Sequence, residues 1–280
     1  MKEFEIQYLN KLILENSGVL LTKEKVYLLQ ARLQPVIQKY KLNSFGELVE
    51  SLQKTKDKNL KRDVVEALMI NETLFFRDLN PFEQFTKILL PYLFKAREGT
   101  KHIRIWSAGC STGQEPYSLA MAILEQQQKH LDWRFEIFAT DISTSALEKA
   151  IEGSYSQFEV QRGLPITHLI KYMQKEDQKW IVKDDVKKLV KFQYFNLLES
   201  PILLGKFDII FCRNVLIYFD VNIKKKILSY FSQSLRPDGF LILGGSESTF
   251  GISDSYVSRE DAKSVYVLKK HEEEMKVALL

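Results

Sequence analysis

The sequence predicts an α/β domain on a mainly parallel sheet, preceded by a small all-α domain. Two observations carry this. From about Lys95 onward, short β-rich runs alternate with helix-periodic ones, the pattern of strands joined by helical crossovers. Before that point the apolar residues recur at helical spacing without a convincing strand. The length of 280 residues leaves room for two such units, since domains commonly run to about 100–200 residues.

The helical domain is assigned to residues 1–70. Its apolar stripes are Phe4, Tyr8 and Leu12; Val26, Leu29, Leu33 and Val36; Leu48 and Leu52; and Val64, Ala67 and Leu68. Gly18 and Pro35 punctuate it. Ser44, with Glu47 three residues later, has capping-box spacing for a helix start. The polar run Thr55–Lys61 reads as a connection between helices. Residues 71–95 are a linker, and residues 96–280 form the α/β domain.

Its candidate strands are His102–Ser107, Phe135–Thr140, Leu189–Tyr194, Phe207–Cys212, Phe240–Leu243 and Ser264–Leu268. A helix over Pro116–Gln128 separates the first two, with Pro116 suited to a first turn. Another begins near Ser145, with Glu148 at capping-box spacing. A third, Val221–Leu235, follows Asp220 as N-cap and stops before the turn sequence Pro237-Asp238-Gly239. Residues 153–188 are too many for a simple crossover. There Trp180-Ile181-Val182, followed by an Asp184-Asp185 turn, reads as a hairpin in an inserted β subdomain.

Composition narrows the function classes. A hydrophobic fraction of 45% supports a real core. The N-terminus lacks the apolar run of a signal peptide, and no apolar stretch is long enough to cross a bilayer, so a cytoplasmic protein without membrane insertion is expected. Cys110 and Cys212 are too few for a disulfide framework, and the histidines are scattered, so no metal site is expected. The net charge of +4 lacks the clustered patch of a nucleic-acid binder, and a monomer that binds no nucleic acid is expected.

In an open parallel sheet, ligands sit beyond the carboxyl ends of the strands. The first strand ends in the small-residue loop Ser107-Ala108-Gly109-Cys110-Ser111-Thr112-Gly113-Gln114-Glu115-Pro116, which lets backbone approach a ligand at a helix start. The second ends in Asp141, an acid placed to accept hydrogen bonds from a ribose diol; capping the next helix is its alternative task, for which Ser143 and Ser145 stand better. The loop lacks the Gly-x-Gly-x-x-Gly of a dinucleotide site. S-adenosylmethionine, which has a ribose and no phosphate, fits it better.

Five motifs in order, Asn71-Glu72-Thr73-Leu74-Phe75-Phe76-Arg77, Ser107 to Leu119, Ala139-Thr140-Asp141-Ile142, Asn196-Leu197-Leu198, and Phe211 to Phe219 (FCRNVLIYF), make the chain resemble the CheR-type chemoreceptor methyltransferases. The resemblance implies a Rossmann-like class I S-adenosylmethionine methyltransferase sheet with a small β insert, and methylation of glutamate side chains on chemotaxis receptors. It implies that Asn71, Thr73 and Arg77 close over the methionine part of the cofactor, with Arg77 on its carboxylate. Glu115 would hold the amino end and sugar, Asp141 the ribose, Asn196 and Leu197 the adenine edge, and Arg213 and Asn214 would line the cofactor. Tyr218 would face the methyl group and the incoming glutamate, and with Arg77 would form the catalytic pair. The insert Met173–Asp185 is shorter and poorer in glycine than the loop of members that dock a receptor's C-terminal tether.

Lys25, Arg32 and Lys39, seven residues apart, form a basic stripe that drifts only about 20° per step. A solvated face is its plain reading. Because the resemblance implies an acidic helical receptor as partner, the stripe is also a candidate docking face for that receptor's cytoplasmic domain. Two other functions stay open at this point: a methyltransferase for RNA or a small molecule, and a scaffold that senses the cofactor without turnover. Against the former, Arg213-Asn214-Val215-Leu216 is not the Asp/Asn-Pro-Pro-Tyr motif of many amino-group methyltransferases.

Overall fold

The computed structural model describes residues 2–19, 26–54, 57–127 and 130–270. They fall into two units, residues 1–70 with 218–223, and residues 71–217 with 224–280. Among the described residues no helix is long and apolar enough to cross a membrane.

Among the described residues the first unit carries the helices α1 (Glu3–Ser17), α2 (Val26–Lys39), α3 (Phe45–Lys54) and α4 (Lys58–Leu68). Their core is built from Leu9, Leu12, Ile13, Leu33, Ile37, Leu48, Val64 and Leu68. The buried stripe of α1 keeps the predicted Leu12, with Tyr8 packed against it, but not Phe4, which is 55% exposed, and it adds Leu9 and Ile13. Glu5 is also buried, and its carboxylate accepts a 2.6 Å bond from the Lys2 N–H, capping the helix. Gly18 closes α1 in the left-handed conformation, with its N–H on the Leu14 carbonyl. At α3 the Ser44 hydroxyl accepts from Glu47 N–H as predicted, but the Glu47 carboxylate reaches back to Asn43 N–H rather than to Ser44. The polar run read as a connection already contains the start of α4, whose N-cap Asp57 accepts from Asn59 and Leu60. α2 runs through Pro35.

The second unit opens with α5 (Asn80–Gln84), a π-turn (Phe85–Leu89) and α6 (Leu90–Ala96). Then come β1 (His102–Ala108), α7 (Gln114–Gln127), β2 (Arg134–Asp141), α8 (Thr144–Glu152), β3 (Ser154–Ser156), α9 (Gln157–Gln161), α10 (Ile166–Tyr172), β4 (Met173–Glu176), β5 (Lys179–Val182) and α11 (Asp184–Lys187). β6 (Val190–Tyr194), β7 (Phe207–Cys212), α12 (Val221–Ser234), β8 (Leu235–Leu243), β9 (Tyr256–Ser258) and β10 (Val265–Leu268) follow, with α12 beginning within 218–223. The main sheet has the order β6-β2-β1-β7-β8-β10-β9, parallel except where β10 pairs with β8 and β9. The chain leaves central β1 toward β2 on one side and reaches β7 on the other, so the strand order reverses between β1 and β7.

Alternation along the strands supplies two apolar faces. Ile105, Ile137, Ile209 and Phe240 join one cluster with Leu89, Leu93 and Ile123. Trp106 packs on Phe207 and Phe231 and donates its indole N–H to Thr140 Oγ1 at 2.9 Å.

Three local expectations change. The inserted sheet, β3-β5-β4, is antiparallel, and its hairpin turns at Asp177 and Gln178, before Trp180; Asp184 and Asp185 instead open α11, where acidic side chains suit a helix N-terminus. The N-cap of α8 is Ser143, which accepts from Ala146 N–H, rather than Ser145. Pro237-Asp238-Gly239 is an irregularity inside β8: Phe207 pairs with Leu235 and Ile209 with Phe240, so extra residues bulge opposite Asp208. The bulge persists because Arg97 holds Asp238 by two bonds, at 2.7 and 2.6 Å.

Candidate functional site

Where the strand order reverses, the loop after β1 meets the loop after β7. A Cβ built on Gly109, whose φ is +78°, would lie 2.6 Å from Val215 Cγ2, so only glycine lets these loops approach. The N–H groups of Gly109 and Cys110 both donate to the Thr140 carbonyl, at 2.8 and 2.9 Å, folding the loop over the end of β2. Its next residue, Ser111, donates its N–H to Asp141 Oδ2 at 2.7 Å, and Ser143 donates to Oδ1 at 2.9 Å. Asp141, 8% exposed, is therefore held by main chain from two turns.

The segment 71–79 joins the same place. Ser111 Oγ donates to the Asn71 carbonyl at 2.7 Å, so Asn71 enters through its main chain. Phe75 and Phe76 are buried as core, and Phe76 N–H donates to Ser118 Oγ. Phe76, Asp78 and Leu79 all have positive φ, a conformation that non-glycine residues hold only under constraint. Part of that constraint is Arg213. Its Nη2 donates to the Arg77 carbonyl at 2.7 Å and to Asp78 Oδ2 at 2.8 Å, while its Nη1 donates to Glu115 Oε2 at 3.1 Å. Its guanidinium stands over the Phe82 ring, 5.6 Å from the centroid. With a side chain only 1% exposed, Arg213 is a buried brace between the strained segment and the start of α7. Glu115 is spent in the same network, its Oε1 accepting from Ser107 Oγ at 2.8 Å.

Beyond β6, Phe195 N–H donates to the Asp141 carbonyl at 3.0 Å, and Asn196 and Leu197 follow Phe195 in the chain. Asn196 Oδ1 accepts from Leu198 N–H, an Asx turn. Arg77 is half-buried and donates Nη1 to the Glu72 carbonyl at 3.3 Å; Thr73 is half-buried. Asn214 has a φ of 59°, and its side-chain Oδ1 is buried without a hydrogen-bond partner. The structure therefore joins Asn71, the main chain of Arg77, Glu115, Asp141 and Arg213 in one hydrogen-bonded region, with Asn196 and Asn214 on adjoining loops. Tyr218 falls in the stretch grouped with the helical unit.

One residue was missed. Glu247 is buried and its carboxylate binds the N–H groups of Asn214, Val215, Ile217 and Gly244. The signal was present: Gly244-Gly245-Ser246 is a second small-residue run at the carboxyl end of a strand.

The basic stripe of the first unit is drawn partly inward. Arg32 donates to the carbonyls of Leu68 and Met69, both at 3.3 Å, satisfying the end of α4. Lys39 is exposed but pairs with Asp63 at 2.6 Å. Lys25 lies outside the described residues.

Chemically the region offers acceptors and a cation. Burial, reinforced by the charges of Asp141 and Glu115, pushes the Cys110 thiol well up, and burial with the Glu247 and Glu115 charges does the same to Cys212, so neither is a nucleophile. Among the described residues no group of acids, histidines or cysteines could hold a metal ion. The donor set fits S-adenosylmethionine: a carboxylate at the end of β2 for the ribose, the unpartnered Asn214 Oδ1 for an ammonium group, and the half-buried Arg77 for a carboxylate.

Comparison with known proteins agrees. Residues 5–69 match the CheR methyltransferase all-alpha domain, and residues 71–264 match the CheR methyltransferase SAM binding domain. Chemotaxis protein methyltransferase 1 of Vibrio cholerae is 44% identical over 256 residues, covering 90% of this chain and 92% of that protein. Its namesake in Pseudomonas aeruginosa is 43% identical, covering 85% of this chain and 88% of that one. The chemotaxis protein methyltransferase of Borreliella burgdorferi is 35% identical, covering 88% and 89%.

Proposed function

The chain belongs to the CheR methyltransferase family, with S-adenosylmethionine as its cofactor, and on that premise we propose that it esterifies glutamate side chains on the cytoplasmic helical domain of a chemotaxis receptor. The observation that carries the choice of a carboxylate substrate is the state of the ionisable groups around Asp141. Glu115 is engaged by Arg213 and Ser107, Asp141 by two main-chain N–H groups, both thiols are pushed up, and no histidine joins the network among the described residues. An amine or hydroxyl substrate needs a base to take its proton. A glutamate does not, because its reference pKa of about 4.3 leaves it ionised at neutral pH.

Bound S-adenosylmethionine supplies an electrophilic methyl group on a sulfonium. Transfer of that methyl group to a substrate carboxylate would form a γ-methyl ester as the carbon–sulfur bond breaks, would leave S-adenosylhomocysteine, and would require no proton transfer. The protein's part is to bind, align and exclude water. Asp141 would hold the ribose, Asn196 and Leu197 the adenine edge, and Arg77 the cofactor carboxylate, with Asn71 and Thr73 alongside. Arg213 and Glu115 would keep the loops in place. Tyr218 would orient the incoming carboxylate. Lys25, Arg32 and Lys39 of the helical unit would meet the acidic receptor.

Incubation with methyl-labelled S-adenosylmethionine and receptor cytoplasmic fragments tests this. Base-labile label released as methanol is expected, with a single-turnover rate flat from about pH 6 to 8.5. Label that resists base, or a sigmoidal rise near neutrality abolished by one side-chain replacement, sinks the proposal.

A further inference from the structure

Glu247 is buried at 8% exposure, lies outside the motifs by which the cofactor site was read, and takes hydrogen bonds only from main chain. Its Oε1 accepts from Val215 N–H at 3.0 Å and Ile217 N–H at 3.1 Å, and its Oε2 from Asn214 N–H at 2.8 Å and Gly244 N–H at 2.7 Å. A carboxylate offers about four lone-pair sites, so these bonds saturate it. It has no acceptor site left for a ligand while they last. What it does is gather two loops at the carboxyl ends of adjacent strands: Asn214 to Ile217 after β7, and Gly244 after β8.

Two further features make this a built arrangement. Asn214 has a φ of 59°, a left-handed conformation held by the bond from its own N–H, and in that conformation its Oδ1 is buried without a partner. Gly244 leaves the carboxylate its room: a Cβ there would stand 2.7 Å from Glu247 Oε2 and 2.9 Å from Asn214 N.

We propose that Glu247 is a positioning residue for the cofactor: it fixes the loop after β7 so that Asn214 presents its side chain to S-adenosylmethionine, and Gly244 is the clearance that lets it do so. The inference rests on the reading of Asn214 as a cofactor residue. It makes Glu247 act through Asn214 rather than on the ligand.

The test measures S-adenosylhomocysteine affinity by calorimetry, alongside thermal unfolding, for the full chain and the variants Glu247→Gln, Gly244→Ala, Asn214→Ala and Glu247→Gln with Asn214→Ala. In Glu247→Gln the amide turns donors toward N–H groups, and in Gly244→Ala the added methyl displaces an intact carboxylate. Both should weaken binding by at least about tenfold, and the double variant should be no weaker than Glu247→Gln alone within about threefold, since the two residues act as one unit. Either Glu247→Gln or Gly244→Ala binding as tightly as wild type despite a lowered Tm overturns the proposal, because it marks a purely structural strut; so do multiplicative losses in the double variant. Wild type that binds no S-adenosylhomocysteine overturns this proposal and the cofactor reading together, whereas wild-type binding that is lost in Asp141→Ala keeps the latter standing whatever Glu247 does. Should Glu247→Gln not fold, amide exchange of wild type decides: the N–H groups of Asn214, Val215, Ile217 and Gly244 should be protected and gain protection with ligand, and exchange at unprotected rates overturns the assignment.

Discussion

Two buried ionic clusters sit at opposite ends of the same strands. At the amino ends, Asp208, 0% exposed, accepts from Arg97 Nε at 2.6 Å and from the N–H of Arg104 at 2.7 Å, and pairs with Arg236 at 3.2 Å; Arg97 also grips Asp238. These partners join the end of α6 to β1, β7 and the β8 bulge. At the carboxyl ends, Arg213 holds the strained segment 77–78 and Glu115, while Glu247 holds loops that have no ladder. The chemistry is alike, but what is restrained differs. Charge pairing between regular elements should act on stability, and pairing between irregular segments should act on ligand binding.

The largest effect should come from the first cluster. Asp208→Ala leaves guanidinium groups without their buried partner and should cost about 3–5 kcal/mol of stability, read from denaturant unfolding, while the folded fraction binds S-adenosylhomocysteine as wild type does. Arg213→Ala should reverse that split: a smaller loss of stability and about a hundredfold weaker ligand binding, the equivalent of about 3 kcal/mol of charged hydrogen bonds no longer fixing the site. Equal binding losses in the two variants would erase the distinction between the ends of the sheet.

A pH experiment sharpens it. Glu136, on β2, takes Arg104 at 2.9 Å and Lys191 at 2.7 Å, tying β1 and β6 across it. Burial works against its ionisation, but the bonds from Lys191 and Arg104 outweigh it and hold the carboxyl at about 2, against an ordinary 4.5. A carboxyl lowered in the folded state stabilises in full above the unfolded value, and that share is lost as pH falls from 4.5 toward 2. Glu136→Gln should therefore reduce the fall in Tm across this acid range and leave ligand affinity at neutral pH unchanged. A steeper fall in the variant would show the sign to be wrong.

The smallest effect belongs to the helical unit. Lys39 is exposed and its pair with Asp63 is worth at most about 1 kcal/mol, so Lys39→Glu should barely move Tm. If the basic residues meet an acidic receptor, the same change should slow receptor methylation, more so at low salt. An unchanged rate at low salt would leave Lys39 as part of a solvated face.

The alternation of β-rich and helix-periodic runs made the sheet legible, because periodicity is a local property of the chain. Asp141 stood out for the same kind of reason, since a parallel sheet directs attention to whatever follows each strand. In the stripe of α1, Leu12 was read correctly and Phe4 was not, because Phe4 and Leu9 are both apolar and only packing chooses between them. Ser143 and Ser145 were both candidates for the cap of α8, and the bond from Ala146 N–H falls to Ser143.

Fold class, the helical character of the first unit and the small-residue loop after β1 were therefore set by the sequence itself, through spacing and residue type over a few turns of chain. Tertiary structure alone decided which polar residues hold loops. Arg213 meets the Arg77 carbonyl across 136 residues and Glu115 across 98, and Glu247 reaches Asn214 across 33. A guanidinium or carboxylate near a strand end has the same local signature whether its partner is a cofactor or a main-chain N–H. The partner is fixed only when folding brings distant segments within about 3 Å, the range in which a hydrogen bond forms.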